Sequence, residues 1–244
     1  MNISKNQISF LKSLSDKKFR LKYGCFVAEG NKICTEILNS NWEIEQVYAT
    51  TLFVERYQFK YDKSKIQIIT KNEIERVSNL FAPTDVLIIV KIPAASQPKF
   101  DAKKWSLALD GIQDPGNFGT IVRTADWFGI DEIFASTDCA DIYNSKVIQA
   151  TMGSFLRINI HYCDLNELIQ QNHFKTIAGA VMNGKNIFSE IIPSTGLIIL
   201  GNEGKGISEN ILPLINQPLT IPSKGNAESL NVAVAAGIIC SRIS

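Results

Sequence analysis

From Trp105 to the C-terminus the chain alternates short apolar runs with stretches of helical length, and this alternation limits the fold more than any other feature. Leu107–Asp110, Glu132–Ala135, Arg157–Tyr162, Thr176–Met182, Leu197–Leu200 and Leu219–Ile221 read as strands. Gly119–Phe128, a segment near Ser145–Thr151, Leu165–Gln171 and the closing Ser229–Arg242 read as helices. Apolar strands have no polar face to offer water, so their sheet must be covered on both sides. Strands joined through helices run parallel. The fold class is α/β, with a mostly parallel sheet in this half.

The first half repeats the alternation on a smaller scale. Ser4–Gln7 has capping-box spacing, and Ile8, Leu11 and Leu14 follow on a helical period. That predicted helix carries Lys5, Lys12, Lys17, Lys18, Arg20 and Lys22, opposed only by Asp16. Cys25–Glu29, Val47–Thr50, Ile66–Thr70 and Asp85–Ile92 read as strands, with helices at Asn31–Leu38 and Glu73–Leu80. Pro93–Pro98 holds two prolines among small and polar residues and reads as a linker. The expected organisation is a smaller α/β domain over 1–93, a linker over 94–104 and a larger domain over 105–244.

The charge changes sign at the same place. The net charge of +1 conceals +6 over residues 1–104 and −5 over residues 105–244. The near-neutral total excludes a uniformly basic chromatin-type protein and an acidic disordered tail, and the split directs an anionic partner to the first half. No apolar run reaches the ~18 residues of a spanning helix, and MNISKNQISFLK lacks the apolar stretch of a secretory signal. The five cysteines (25, 34, 139, 163 and 240) form no CxxC pair, and His161 and His173 complete no metal-ligand spacing. The expectation is plain thiols in a reducing cytoplasm, with no metal.

Three loops stand out in the second half. Asp110–Gly119 (DGIQDPGNFG) follows a strand and fits a tight turn at its carboxyl end, where open α/β sheets bind ligands. Arg123 lies one turn further on; a surface arginine after a Gly/Pro turn is the plain alternative. Gly201–Ser208 (GNEGKGIS) superficially suggests a P-loop, but Lys205 precedes Gly206 and Ile207 precedes Ser208, so the Walker order fails. What remains is a glycine-rich loop able to approach a ligand, carrying Glu203, or else a simple connector. Ile221–Asn231 opens the closing helix, with Ser229 and Asn231 read into its first turn, where they could simply cap it. The small residues Ala233, Ala235, Ala236 and Gly237 would let another backbone pack close, inside the chain or in a second copy.

Together, DPGNFGTIVRTADWFG, LIILGNEGKGIS and LTIPSKGNAESLNVAVAAGI resemble the three motifs of the SpoU/TrmH branch of the SPOUT superfamily, the RNA ribose 2′-O-methyltransferases, in that family's order. ISKNQISFLKSLSDKKFRLKYGCFVAEGNKI resembles the start of the substrate-binding domain that many members carry. The resemblance implies an S-adenosylmethionine-dependent homodimer, joined through the C-terminal domain, whose last third is tied in a trefoil knot. It places Arg123, Glu203, Ser229, Asn231 and Asn117 at the catalytic positions. Gly201, Ile221, Leu230 and Ala180 would hold the methyl donor, largely through backbone.

The implied chemistry aims a ribose hydroxyl at a methyl group that is already electrophilic. Neutral Asn117, Ser229 and Asn231 suit orientation, and Glu203 suits either a base or a loop anchor. Arg123 suits a phosphate clamp better than a base, because guanidinium stays protonated. The basic half would collect RNA, ribosomal ahead of transfer RNA, and Phe10, Phe19 and Tyr23 among its lysines either stack on bases or belong to the core. Two rivals are a dinucleotide enzyme, whose G-x-G-x-x-G spacing is missing, and a non-catalytic RNA-binding or ribosome-assembly protein of the same fold.

Overall fold

The basic N-terminal segment folds as two helices where the sequence predicts one. α1 (Lys5–Ser13) begins with the expected box: the Ser4 hydroxyl accepts from Gln7 N–H at 3.2 Å, and Gln7 Oε1 accepts from Ser4 N–H at 2.8 Å. The chain then breaks, because Asp16 takes an extended backbone and its carboxylate accepts from Lys18 N–H at 2.8 Å, starting α2 (Lys17–Tyr23). Buried Arg20 fixes the corner by donating from Nη1 to the carbonyls of Leu14 and Ser15 at 2.9 and 2.7 Å. These are carbonyls that the end of a helix leaves open. Gly24 ends α2 at φ +63°, a conformation that favours glycine.

The chain continues through β1 (Cys25–Glu29), α3 (Asn31–Leu38), β2 (Ile44–Ala49), α4 (Thr51–Arg56), β3 (Ile66–Ile68), α5 (Lys71–Val77) and β4 (Val86–Lys91). The computed structural model describes residues 3–57, 63–94, 98, 101, 103–172 and 174–243, so residues 95–97 of the Pro93–Pro98 linker and His173 lie outside the described residues. The first sheet runs β1-β4-β2-β3 and is mixed, with β4 antiparallel to both neighbours and β3 parallel to β2. α5 starts before the predicted Glu73 because Thr70 and Glu73 form a capping box, and it stops at Ser78, where the backbone extends.

The second half adds β5 (Trp105–Asp110), α6 (Pro115–Trp127), β6 (Glu132–Ala135), α7 (Ser145–Thr151), β7 (Asn159–Tyr162), α8 (Leu165–Asn172), β8 (Ile177–Asn186), β9 (Gly196–Gly201), β10 (Gln217–Thr220) and α9 (Val232–Ile243). Its six strands run β10-β8-β9-β5-β6-β7, and every neighbouring pair is parallel, as the apolar alternation requires. Leu107, Leu109, Leu197 and Ile199 of the central strands are fully buried, each stabilising the fold by about 1.5–3 kcal/mol. Two compact units result: Met1–Ala94 with Tyr143–Leu156, and Ala95–Ile142 with Arg157–Ser244. α7 therefore groups with the first unit, where it packs on β1. Among the described residues no helix is long and apolar enough to cross a membrane.

Two boundaries differ from expectation in ways that matter for the loops. α6 begins at Pro115 rather than Gly119, because Asp114 caps it, accepting from Asn117 N–H at 2.7 Å, and proline fits the first helical position. The predicted turn is thus partly a helix start. α9 begins at Val232 rather than Ser229, so Ser229 and Asn231 precede the helix instead of lying in its first turn.

Candidate active site

Three loops at the carboxyl ends of parallel strands carry the polar side chains, all within the second unit. β5 ends on Asp110, buried although it closes an apolar strand. Its carboxylate accepts from the N–H and hydroxyl of Ser208, at 2.6 and 2.9 Å, tying the loop after β9 to the end of β5. Asn202 makes a second tie, donating from Nδ2 to Gly111 O at 2.7 Å and accepting at Oδ1 from Gly204 and Lys205 N–H. Asn202 and Gly206 exchange backbone hydrogen bonds of 3.0 and 2.9 Å, folding the loop back on the strand end. The return arm passes so close that a Cβ at Gly201 would lie 2.3 Å from the Gly206 carbonyl carbon. Gly201 is thus required by the loop's own backbone, whatever ligand approaches it.

This fold-back presents Glu203 to α6. Asn117, in the first turn of α6, donates from Nδ2 to Glu203 Oε1 at 2.6 Å. Asn231 Nδ2 donates to Asn117 Oδ1 at 2.9 Å, while Asn231 Oδ1 accepts from the N–H groups of Ala233 and Val234 and so caps α9. One hydrogen-bonded chain, Glu203–Asn117–Asn231, thereby joins three loops far apart in sequence. Arg123 and Ser229 stand outside it. Arg123 is exposed on α6, ~9 Å along the helix axis from Asn117 at 1.5 Å per residue, and its side chain forms no hydrogen bond or ion pair among the described residues. Ser229 is likewise exposed and without such a partner.

The residues expected to hold a methyl donor fall around these loops. Gly201 ends β9, and Ile221 follows β10. Ala180 lies just past Gly179–Ile199, the last pair joining β8 to β9. Beyond it the β8–β10 register jumps from Gly179–Pro218 to Lys185–Leu219. Leu230 is 48% exposed. No backbone hydrogen bond to another backbone group is formed by the N–H groups of Ile221 or Leu230 among the described residues. Free backbone donors beside partly exposed apolar side chains are a donor set that fits an adenosine, which offers a flat apolar face and hydrogen-bonding edges.

The Cys139 thiol steadies the first loop from beneath, accepting from Ile112 N–H at 3.2 Å and donating to Leu109 O at 3.2 Å. Burial raises its pKa, so it stays a thiol. The sequence reading missed Asp110, Asn202 and Ser208 as loop anchors. The one available signal was a carboxylate ending an otherwise apolar strand.

Residues 104–241 match the SpoU rRNA methylase family, and residues 5–87 match the MRM3-like substrate binding domain. The chain belongs to the SpoU rRNA methylase family. It is 30% identical to the 23S rRNA (guanosine(2553)-2′-O)-methyltransferase RlmP of Bacillus subtilis (strain 168), over 97% of this chain and 95% of that protein. A solved structure from Porphyromonas gingivalis, assigned to the TrmH family of RNA methyltransferases, superposes with a TM-score of 0.88 at 33% identity, covering 99% of this chain and 98% of that one. An AdoMet-bound rRNA methyltransferase from Sinorhizobium meliloti shares the fold, with a TM-score of 0.80 at 23% identity over 100% of this chain and 97% of that one.

Proposed function

We propose that this chain transfers a methyl group from S-adenosylmethionine to a ribose 2′-hydroxyl of structured RNA, ribosomal rather than transfer RNA. The observation that carries the reading is the Glu203–Asn117–Asn231 chain, in which a carboxylate and two amides from three separate loops meet at strand ends. Family membership and the near full-length likeness to a 23S rRNA enzyme support the choice of RNA.

S-adenosylmethionine supplies, when bound, a methyl group on a sulfonium. Gly201, Ile221, Leu230 and Ala180 would hold it, mainly through main-chain groups. The chain's own task is to orient a weak nucleophile and accept its proton. Asn117 holds Glu203 by Oε1, which leaves Oε2 to take the hydroxyl proton. Asn231 holds Asn117 in turn, so the carboxylate is aimed from α9 as well as from α6. Ser229, with its hydroxyl uncommitted, orients the ribose. Arg123, exposed and unpaired, grips the adjacent phosphate; its fixed positive charge lowers the hydroxyl's pKa without any need to lose a proton.

The same reading takes residues 1–93 as the RNA-binding domain, 94–104 as a linker and 105–244 as the methyltransferase domain. It places the enzyme in the cytoplasm, with its closing segment knotted. It also expects a homodimer through the second unit, supported by Trp127 of α6 and Val234 of α9, large apolar side chains 84% and 51% exposed. The test is calorimetric binding of S-adenosylmethionine, then tritiated methyl transfer to total RNA and mapping of 2′-O-methyl sites with and without the protein. A ribosomal site present only with the protein is expected. Absence of donor binding and of transfer to any stable RNA would sink the reading.

A further inference from the structure

We propose that the face built by α1 and α2 holds an unpaired RNA base on the ring of Tyr23, with the surrounding lysines on the flanking phosphates. The nature of the ligand rests on the RNA-methyltransferase reading; the place and mode of binding do not. Lys5 and Lys12 of α1 and Lys17, Lys18 and Lys22 of α2 are all exposed. None has a carboxylate partner among the described residues, a state shared by Lys32, Lys71, Lys175 and Lys205; what sets the five apart is that they crowd onto two consecutive helices. A group of uncompensated cations on two short helices costs self-repulsion, and a polyanion removes that cost while releasing counterions.

The aromatic arrangement separates RNA from other polyanions. Tyr23 is the last residue of α2 and is 46% exposed. One face of its ring stacks along Phe19, with centroids 6.2 Å apart at 12°, and Phe10 meets it edge-on at 5.1 Å and 72°. The ring is therefore held in place and has little freedom left to lose. The ammonium of Lys22 sits 5.2 Å from the ring centroid, a cation–π contact on a ring that solvent still reaches. A base can take that place, and Lys22 then moves to a neighbouring phosphate. Only a base out of a helical stack can do this, so the ligand is single-stranded or splayed rather than duplex. An acidic peptide would satisfy the lysines but has no use for the flat ring.

The test uses the full chain and a labelled single-stranded oligoribonucleotide of about 12 nucleotides, with a duplex of equal length for comparison. Binding is read by fluorescence anisotropy across a salt series. Tyr23→Leu keeps apolar bulk against Phe10 and Phe19 but removes the flat face. It should weaken single-strand binding by roughly tenfold, the loss expected for one stacked base, while Tyr23→Phe should stay within about twofold. Lys17→Gln with Lys18→Gln should reduce the slope of log affinity against log salt by about 1.4. An oligonucleotide carrying 5-iodouridine should crosslink to the Lys18–Tyr23 segment.

Unchanged binding in Tyr23→Leu overturns the proposal. So does an equal loss in Tyr23→Phe, an equal preference for duplex, or tighter binding of polyglutamate than of RNA. Binding of S-adenosylmethionine by each variant reports on an intact second unit. If the parent chain methylates RNA while the Tyr23 variants bind RNA normally, only this inference fails. If the parent binds no donor and methylates nothing, the functional reading fails instead.

Discussion

On the α1–α2 face the exposed lysines have no acidic partner among the described residues, whereas at the strand ends of the second unit polar side chains are taken up by one another. Lys5, Lys12, Lys17, Lys18 and Lys22 are exposed and lack a carboxylate among the described residues. Asp110 is spent on Ser208, Asn202 on Gly111, and Glu203, Asn117 and Asn231 form one chain. The difference suits the two tasks proposed above. A capture surface gains by leaving cations available to any phosphate, because counterion release carries no geometric demand. A reacting group must be held in a narrow set of orientations, which needs neighbours that use up its alternatives. Arg123 is an exception in the second unit, as Lys205 and Lys224 are: its side chain has no hydrogen bond or ion pair among the described residues, which suits the proposed phosphate clamp.

The largest expected effect tests that exception. Arg123→Ala should lower methyl transfer by ~10²–10³-fold, the scale seen when one preorganised electrostatic group is removed, while calorimetric binding of S-adenosylmethionine is unchanged. Arg123→Lys separates clamp from point charge. If lysine keeps most of the activity with only a slight loss of RNA affinity, the bidentate clamp is wrong.

Next comes the framework beneath the site. Asp110→Ala removes the acceptor that both the Ser208 N–H and the Ser208 hydroxyl use. Losing these two charge-assisted hydrogen bonds at a buried strand end should cost about 1–3 kcal/mol in urea unfolding. The loss of transfer should be larger than the stability loss alone explains, because Glu203 depends on the same loop. A variant with unaltered activity would show that the loop is ordered without Asp110. Asn117→Ala should act more mildly. It frees Glu203 Oε1 and Asn231 Nδ2, both exposed enough for water to replace the lost partner. A fall of about tenfold in kcat with little change in RNA affinity is expected. A change confined to KM would instead make Asn117 a binding residue.

How much of this was legible in the sequence depends on the range of the interaction. Cys25–Glu29, Asn31–Leu38 and Ser145–Thr151 fall where the periodicity put them, because local pattern decides an amphipathic helix or an apolar strand. The parallel sheet followed from apolar strands separated by helices. The break between α1 and α2 was missed, because the apolar period runs on through Leu14 while the capping geometry of Asp16 and the inward turn of Arg20 are decided by tertiary fit. Asn117, Glu203 and Asn231 were each named from their motifs, but that they bond in series could not be read. They are 86 and 114 positions apart, and spacing carries no information about such contacts. The grouping of Tyr143–Leu156 with the first unit gave no compositional signal at all.

The smallest expected effect belongs to the first unit, and it sharpens the contrast from the other side. There Asp16, Glu29 and Glu73 serve local order, Glu43 and Glu45 pair with Lys91, and none of these acids takes a lysine of α1 or α2. Glu73 is the clearest case. Its carboxyl is held below its ordinary value of 4.5, first by the Thr70 N–H and then by the Ile3 N–H and the Thr70 hydroxyl. The contacts are 2.8, 2.8 and 2.9 Å. A carboxyl with a depressed folded-state pKa stabilises the fold above its unfolded-state pKa, and that contribution is lost as pH falls through the folded value. Thermal melts of the parent chain and Glu73→Gln should therefore differ near neutral pH and converge as the pH drops below about 4.5. A gap that persists in acid would mean that shape and hydrogen bonding, rather than the negative charge, make Glu73 hold Ile3 beside α5. In that case the acids of the first unit would not be committed by charge, and the availability of its lysines would need another cause.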